Sequence, residues 1–262
     1  MYAWNWEPGL VLGLIAQISI YLACVGPLRR FFPNSAAVSK NQIQLFAMGW
    51  LCLFAALVSP IDILSDSLLS MHMIQHLLIT LIAPPLLLLG TPRWLFRPLL
   101  RIPGATLIGR LMTSVVPAFI IYNMTFSLWH VPRYYELTLN NQIFHILEHV
   151  MFIGTATLAW WPICSPLDEV PSAPVGLQIF YLFFQSFPPT ILGAILTFAE
   201  LPLYPHYTRV ARLWGMTPLV DQQLAGLIMW IPGSLIFFGV LSAVFIRWMN
   251  RDDIDPRLAK RA

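Results

Sequence analysis

The chain has 262 residues, of which 58% are hydrophobic and only 10% are charged, and its mean hydropathy is +0.70. This composition excludes an ordinary water-soluble domain and predicts an all-α, polytopic membrane protein in contact with the lipid bilayer. The net charge is only +3 and is divided among short loops, so no nucleic-acid partner is expected. Cys24, Cys52 and Cys164 form no CxxC motif, which gives no support to a disulfide framework or a thiolate copper shuttle.

Seven segments are long and apolar enough to be membrane spans, each of which needs about 20 mostly apolar residues. In chain order they cover residues 8–28, 42–60, 68–90, 112–130, 141–162, 175–199 and 221–246. The sixth is interrupted by Pro188 and Pro189. Because no soluble module or low-complexity linker separates the segments, the sequence predicts a bundle of seven transmembrane helices that forms one integral membrane domain over residues 1–262.

The basic residues predict the orientation of this bundle. Twelve of the fifteen follow the first, third or seventh segment, namely Arg29, Arg30, Lys40, Arg93, Arg97, Arg101, Arg110, Arg247, Arg251, Arg257, Lys260 and Arg261. Only Arg133, Arg209 and Arg212 lie in the loops of the opposite side. The positive-inside rule therefore places the N-terminus outside and the C-terminus in the cytoplasm. All six histidines then lie on the outer side.

The third segment carries the first candidate ligands. His72 and His76 are one helical turn apart, and Met73 lies on the same helix face. Imidazole together with a thioether suits Cu(I), whereas imidazole alone also suits Cu(II), zinc or haem iron. The structural alternative is that the methionine packs in the core and the histidines bond to neighbouring helices. Imidazole in a membrane is costly, and the pair favours a functional interpretation.

A second pair lies at the start of the fifth segment. His145, Glu148 and His149 share a helix face with Asn141. Glu148 is either a carboxylate ligand or an acceptor that fixes a histidine tautomer. The HxxEH spacing also occurs in inverted zinc peptidases, but no glutamate on a later helix completes that motif.

Two further residues extend the candidate site. His130 ends the fourth segment just before Pro132, where it either caps the helix or adds a ligand. Asp221 begins the seventh segment as a helix cap, an oxygen ligand or a proton acceptor. The sequence thus predicts an outer metal site, with no catalytic residue, from His72, His76, His130, His145, His149, Met73, Glu148 and Asp221.

Four motifs together carry a resemblance to a known family. They are His72-Met-Ile-Gln-His76-Leu-Leu with Ala83-Pro-Pro-Leu and Gly90, Trp129-His130-x-Pro132, His145-x-x-Glu148-His149 with Trp160-Trp161-Pro162, and Asp221-Gln-Gln-Leu-Ala-Gly226 with Trp230-Ile-Pro232. Over roughly residues 10–250 the chain resembles the seven-helix cytochrome c oxidase assembly factors of the CtaG family, which serve caa-type oxidases.

This resemblance implies a multi-pass protein of the bacterial inner (plasma) membrane that takes part in respiratory chain biogenesis. It implies a metallochaperone rather than an enzyme. The protein would take copper, as Cu(I) or Cu(II), from a donor protein on the outer side and pass it to a haem–copper oxidase subunit.

Other interpretations stay open on the sequence alone. Histidines on facing helices could ligate haem b for electron transfer, and Glu148 beside two histidines could activate water in a metal-dependent membrane enzyme. A copper transporter would need a polar path through the inner half, where residues 77–89 offer only Thr80 and two prolines. Zinc in place of copper, a homo-oligomer, and a scaffold whose histidines only bond one another are also open.

Overall fold

The computed structural model describes residues 3–32, 35–211 and 213–254. Within these ranges the chain is helical and contains no strand, which confirms the all-α prediction for the described residues. Four of the basic residues used to predict the orientation lie outside the described residues, namely Arg212, Arg257, Lys260 and Arg261. The predicted orientation therefore stays a prediction.

Fourteen α-helices lie in the described part of the chain. They are α1 (Pro8–Val25), α2 (Lys40–Leu57), α3 (Pro60–Ser65), α4 (Leu69–Leu77), α5 (Ala83–Gly90), α6 (Arg93–Phe96), α7 (Ala105–Met112), α8 (Val115–His130), α9 (Pro132–Asn140), α10 (Gln142–Cys164), α11 (Val175–Gln185), α12 (Phe187–Phe198), α13 (His206–Arg209) and α14 (Pro218–Ile254). Short 3₁₀ turns cover Pro27–Phe31 and Leu99–Arg101. A π-helical turn, Leu78–Ile82, joins α4 to α5.

Five helical stretches are long and apolar enough to cross a membrane. They are Pro8–Val25, Leu69–Gly90, Gln142–Cys164, Val175–Phe198 and Pro218–Asn250. The helices α7 and α8 meet at an angle of 71° and give a sixth if they count as one span. The predicted second segment corresponds to α2, whose first turn is polar (Lys40-Asn41-Gln42). As a result α2 is less apolar than these five stretches and does not count as a candidate span. The described helices therefore support five or six spans, and the seventh stays a prediction.

Close contacts between helices occur at glycines. A Cβ atom added at Gly226 of α14 would lie 2.6 Å from the carbonyl oxygen of Gly193 on α12 and 2.7 Å from the amide nitrogen of Thr197. At Gly90 of α5, an added Cβ would collide with the backbone of Phe46 on α2. These small residues let the backbones approach as they do in membrane helix pairs.

The π-helical turn has a local cause in two prolines. Pro84 and Pro85 have no amide hydrogen, so the carbonyl groups four residues earlier lose their helical partners. The indole Nε1 of Trp160 on α10 donates to one of these, the carbonyl oxygen of Thr80, at 2.9 Å. The irregular turn therefore joins the third span to α10 directly below the histidine pair.

Candidate metal centre

The two predicted histidine pairs face each other across the contact between α4 and α10. Within each pair the ring centroids lie 4.1 Å apart for His72 and His76, and 4.4 Å apart for His145 and His149. Between the helices, His72 lies 6.4 Å from His145, and His76 lies 5.9 Å from His149. The i, i+4 spacing on each helix is what directs both imidazoles of a pair at the opposite helix.

Glu148 lies between the two pairs and is shared by both. One group is His72, His76 and Glu148, and the other is His145, Glu148 and His149; in each, the candidate ligand atoms lie within 4.8 Å of one another. The Oε1 atom of Glu148 is 4.0 Å from Nε2 of His72 and 3.9 Å from Nε2 of His76. These five residues are called the His/Glu cluster below.

The polar atoms of the cluster are buried and lack hydrogen-bond partners. His72 and Glu148 are fully buried, and His76 is 6% exposed. Neither carboxylate oxygen of Glu148 and neither ring nitrogen of His72 or His76 is hydrogen-bonded, and the same holds for Nε2 of His145 and His149. Each buried polar atom without a partner costs about 1–3 kcal/mol, so such a concentration of them indicates a site that a ligand completes.

Aromatic residues wall the cluster. The ring of Phe152 lies 4.6 Å from that of His76, and the ring of Tyr135 lies 5.0 Å from that of His72. The Tyr135 hydroxyl is hydrogen-bonded to that of Tyr207 (2.9 Å), which also donates to the backbone oxygen of Ser65. Burial raises the pKa of Tyr207 well above its usual range, so its hydroxyl stays neutral. The buried Tyr207 of α13 therefore fixes Tyr135, which in turn contacts His72.

His130 lies beside the cluster, and the structure shows how its ring is held. It ends α8, as the following Pro132 predicts, and its ring centroid lies 6.1 Å from that of His76. Its Nδ1 is 2.7 Å from the carbonyl oxygen of Phe126. The Tyr204 hydroxyl donates to the backbone carbonyl oxygen of His130 at 2.9 Å. His130 belongs to neither group of close ligand atoms.

Asp221 lies away from the cluster and serves another helix. Its carboxylate accepts the backbone amides of Leu69 (2.7 Å) and Ser70 (3.2 Å) and also the Ser70 hydroxyl. It therefore caps the first turn of α4, where Leu68 at the N-cap position has no capping side chain. Asn141, on the predicted face of α10, likewise caps its helix by accepting the amides of Ile143 and Phe144.

Gln75 is a supporting residue that the sequence analysis did not identify. It is fully buried, and its Nε2 donates to Oδ1 of Asp62 at 2.7 Å and to the carbonyl oxygen of Ala56 at 2.9 Å. Asn5 donates to the other oxygen of Asp62 at 2.7 Å. Burial raises the pKa of the Asp62 carboxyl, against the opposing effect of these two hydrogen bonds. The available signal was an amide residue inside an apolar helix, directly before His76.

The chain matches one family over most of its length. A family model described as cytochrome c oxidase caa3 assembly factor (Caa3_CtaG) matches residues 19–251. This range contains the whole His/Glu cluster, together with His130, Asp221 and Gln75. Neither the curated proteins nor the solved structures that were compared include one that matches the chain.

Proposed function

Because the chain belongs to the cytochrome c oxidase caa3 assembly factor family, we propose that it binds a copper ion in the His/Glu cluster and passes it to a haem–copper oxidase subunit. Copper is then cargo rather than a resident cofactor, and the protein is a metallochaperone rather than an enzyme. The observation that carries the proposal is the buried, unpartnered carboxylate of Glu148 among four histidines of two helices.

The donor atoms of the cluster suit a copper ion. Imidazole nitrogens bind copper in either oxidation state, and a carboxylate balances part of the charge of the ion. Because α4 supplies His72 and His76 while α10 supplies His145, Glu148 and His149, the full five-residue cluster needs both helices. A small separation of these helices would weaken binding in steps, which suits a protein that must release its cargo.

The exposure of the ligands supports loading from the α10 side. His145 and His149 are partly exposed, whereas His72, His76 and Glu148 are buried. We expect a donor to deliver the ion to the α10 pair first. The buried α4 pair then completes the coordination of the ion. In the predicted orientation, the start of α10, which carries both histidines, lies at the outer face of a bacterial plasma membrane.

The space next to the cluster is small. The cavity that His76 lines with His130 has a volume of about 20 Å³, the size of one water molecule. A cofactor pocket usually offers at least about 300 Å³. Ring-centroid separations of about 6 Å across the helices fit two imidazoles on one metal atom, so the Soret band measured in the test below is what distinguishes a shared ion from haem.

The test is copper loading of the purified protein under reducing conditions, with elemental analysis and an absorbance spectrum of each sample. The wild type is expected to hold copper and to show no Soret band. His72→Ala and His149→Ala, one on each helix, should lose the copper, whereas the loop histidine variant His206→Ala should keep it. Copper retained by both cluster variants, or absent from the wild type, would refute the proposal.

A further inference from the structure

A small cavity lies beside the His/Glu cluster, on the side of His130. Its volume is about 20 Å³, and Met73, His76 and His130 all contribute to its lining. All three side chains are buried, at 1%, 6% and 4% exposure. The buried Met229 lines the same cavity, so it holds two imidazoles and two thioethers. This is a softer set of donors than the His/Glu cluster offers, and soft donors favour Cu(I).

The hydrogen bond of His130 leaves one ring nitrogen free for a metal. A carbonyl oxygen only accepts, so Nδ1 of His130 carries the hydrogen that is donated to Phe126. In the neutral ring, Nε2 then keeps its lone pair, and this atom is buried with no hydrogen-bond partner. A backbone acceptor on the far nitrogen is the arrangement that orients many metal-binding histidines.

His130 also borders a second, larger opening. It lines a groove of about 480 Å³ between α8 and α12, together with Ser127, Pro188 and Ile191. Ser127 and Ile191 are exposed on the apolar outer surface of the helices, which is the surface that faces lipid. His130 and Phe126 line both the small cavity and the groove, and of these two His130 is the one whose side chain can bind a metal.

We propose that Met73, His76 and His130 form a transit site for Cu(I), from which His130 releases the ion sideways into the groove between α8 and α12. This inference rests on the proposed function. His76 belongs to both sites, so the ion exchanges ligands around one fixed imidazole: bonds to the other cluster residues break as bonds to Met73 and His130 form. No electron is transferred, and the ion stays Cu(I) throughout. Loading and release would then use different sides of the protein.

The experiment measures Cu(I) release from protein in phosphatidylcholine nanodiscs to two chelators. Neocuproine partitions into the bilayer, whereas bathocuproine disulfonate stays in water. The measured quantity is the initial rate of release to neocuproine divided by the initial rate of release to bathocuproine disulfonate. General damage to the site changes both rates alike and leaves this ratio unchanged. His130→Leu and Met73→Leu should lower this ratio by about tenfold, the effect of a modest rise in one barrier.

Two further variants separate a ligand role from a structural one. Methionine is similar in size to leucine but carries a soft donor atom. His130→Met should therefore restore much of the ratio that His130→Leu lowers. Ser127→Phe should fill the groove and lower the ratio without touching a donor atom. The matched control is Met124→Phe, which changes an exposed residue of α8 outside the groove lining and should leave the ratio unchanged.

The outcomes distinguish this inference from the proposed function. A wild type that holds no Cu(I) removes both. A wild type that holds Cu(I), with a ratio that the His130, Met73 and Ser127 variants leave unchanged, overturns the lateral route alone. Equal slowing of both chelators in these variants also overturns it, because the residues would then act on binding rather than on the direction of release.

Discussion

Replacing Glu148 by methionine or leucine should stabilise the copper-free protein, and leucine, which has no donor atom, should also remove its response to copper. Both carboxylate oxygens of Glu148 are buried without hydrogen-bond partners, and its side chain is fully buried on α10. Methionine has a similar volume and no group that needs a strong hydrogen bond. Relief of the unpartnered carboxyl is expected to add about 1–3 kcal/mol to the free energy of unfolding.

The effect is large enough to measure by thermal unfolding. For a chain of this size, 1 kcal/mol shifts Tm by roughly 2–4 °C, so Tm of the copper-free Glu148→Met protein should rise by several degrees. Copper at a hundred times its Kd should stabilise the wild type by about 2.7 kcal/mol, and it should stabilise Glu148→Leu, which has no donor atom at this position, by almost nothing. The assay is the melting curve of detergent-purified protein with and without Cu(I).

A second acid provides the matched control. Glu136 on α9 has a hydrogen-bond partner, because its Oε1 accepts the backbone amide of His206 at 2.7 Å. Glu136→Met should therefore lower the stability of the copper-free protein and leave the copper-induced shift intact. A copper-free Glu148→Met protein that melts below the wild type would refute the reasoning, because Glu148 would then have a stabilising role without metal.

Three further outcomes are expected from thermal unfolding of variants. Asp221→Ala leaves two backbone amides of α4 and one hydroxyl without an acceptor, and should cost about 3 kcal/mol together with most copper binding. Gly226→Ala should separate α12 from α14 and lower Tm by several degrees, whereas Gly239→Ala, with nothing within 4 Å of the added Cβ, should be neutral or slightly stabilising. Burial raises the pKa of Asp62 above its usual 3.8, so the ionised form disfavours the fold and stability should fall as pH rises above that value. The change of Tm with pH across this range should be smaller for Asp62→Asn, and Asp66, whose pKa burial also raises, contributes to the slope that remains.

The contact between the two histidine pairs is predictable from the sequence because of the i, i+4 spacing within each pair and the apolar helix that carries it. An i, i+4 pair in an apolar helix has one direction in which to point, and two such helices in one bundle have reason to face each other. The end of α8 at His130 was predictable for a similar reason, because Pro132 cannot continue the helix.

Other features depend on tertiary contacts that no local pattern encodes. Asp221 reads as a cap for its own helix, but its carboxylate reaches Leu69, 152 residues earlier, because α14 lies against the start of α4. Tyr204 and Tyr207 lie in the stretch between the predicted sixth and seventh segments, yet both are buried. The number of spans also depends on features beyond the apolar pattern, since α2 has a polar start and a bend precedes α8.

The π-helical turn at Leu78–Ile82 sets two rotational phases within a single span. Such a turn holds one residue more than an α-helical turn, so the following residues are rotated by about 100° relative to an unbroken helix. The half of the span before the turn can therefore direct His72 and His76 at α10 while the half after the turn presses Gly90 against α2. A straight helix of the same sequence would satisfy one of these contacts and misdirect the other. Repacking of the half after the turn during evolution need not rotate the imidazoles. Deletion of one residue from the turn would rotate them relative to that half.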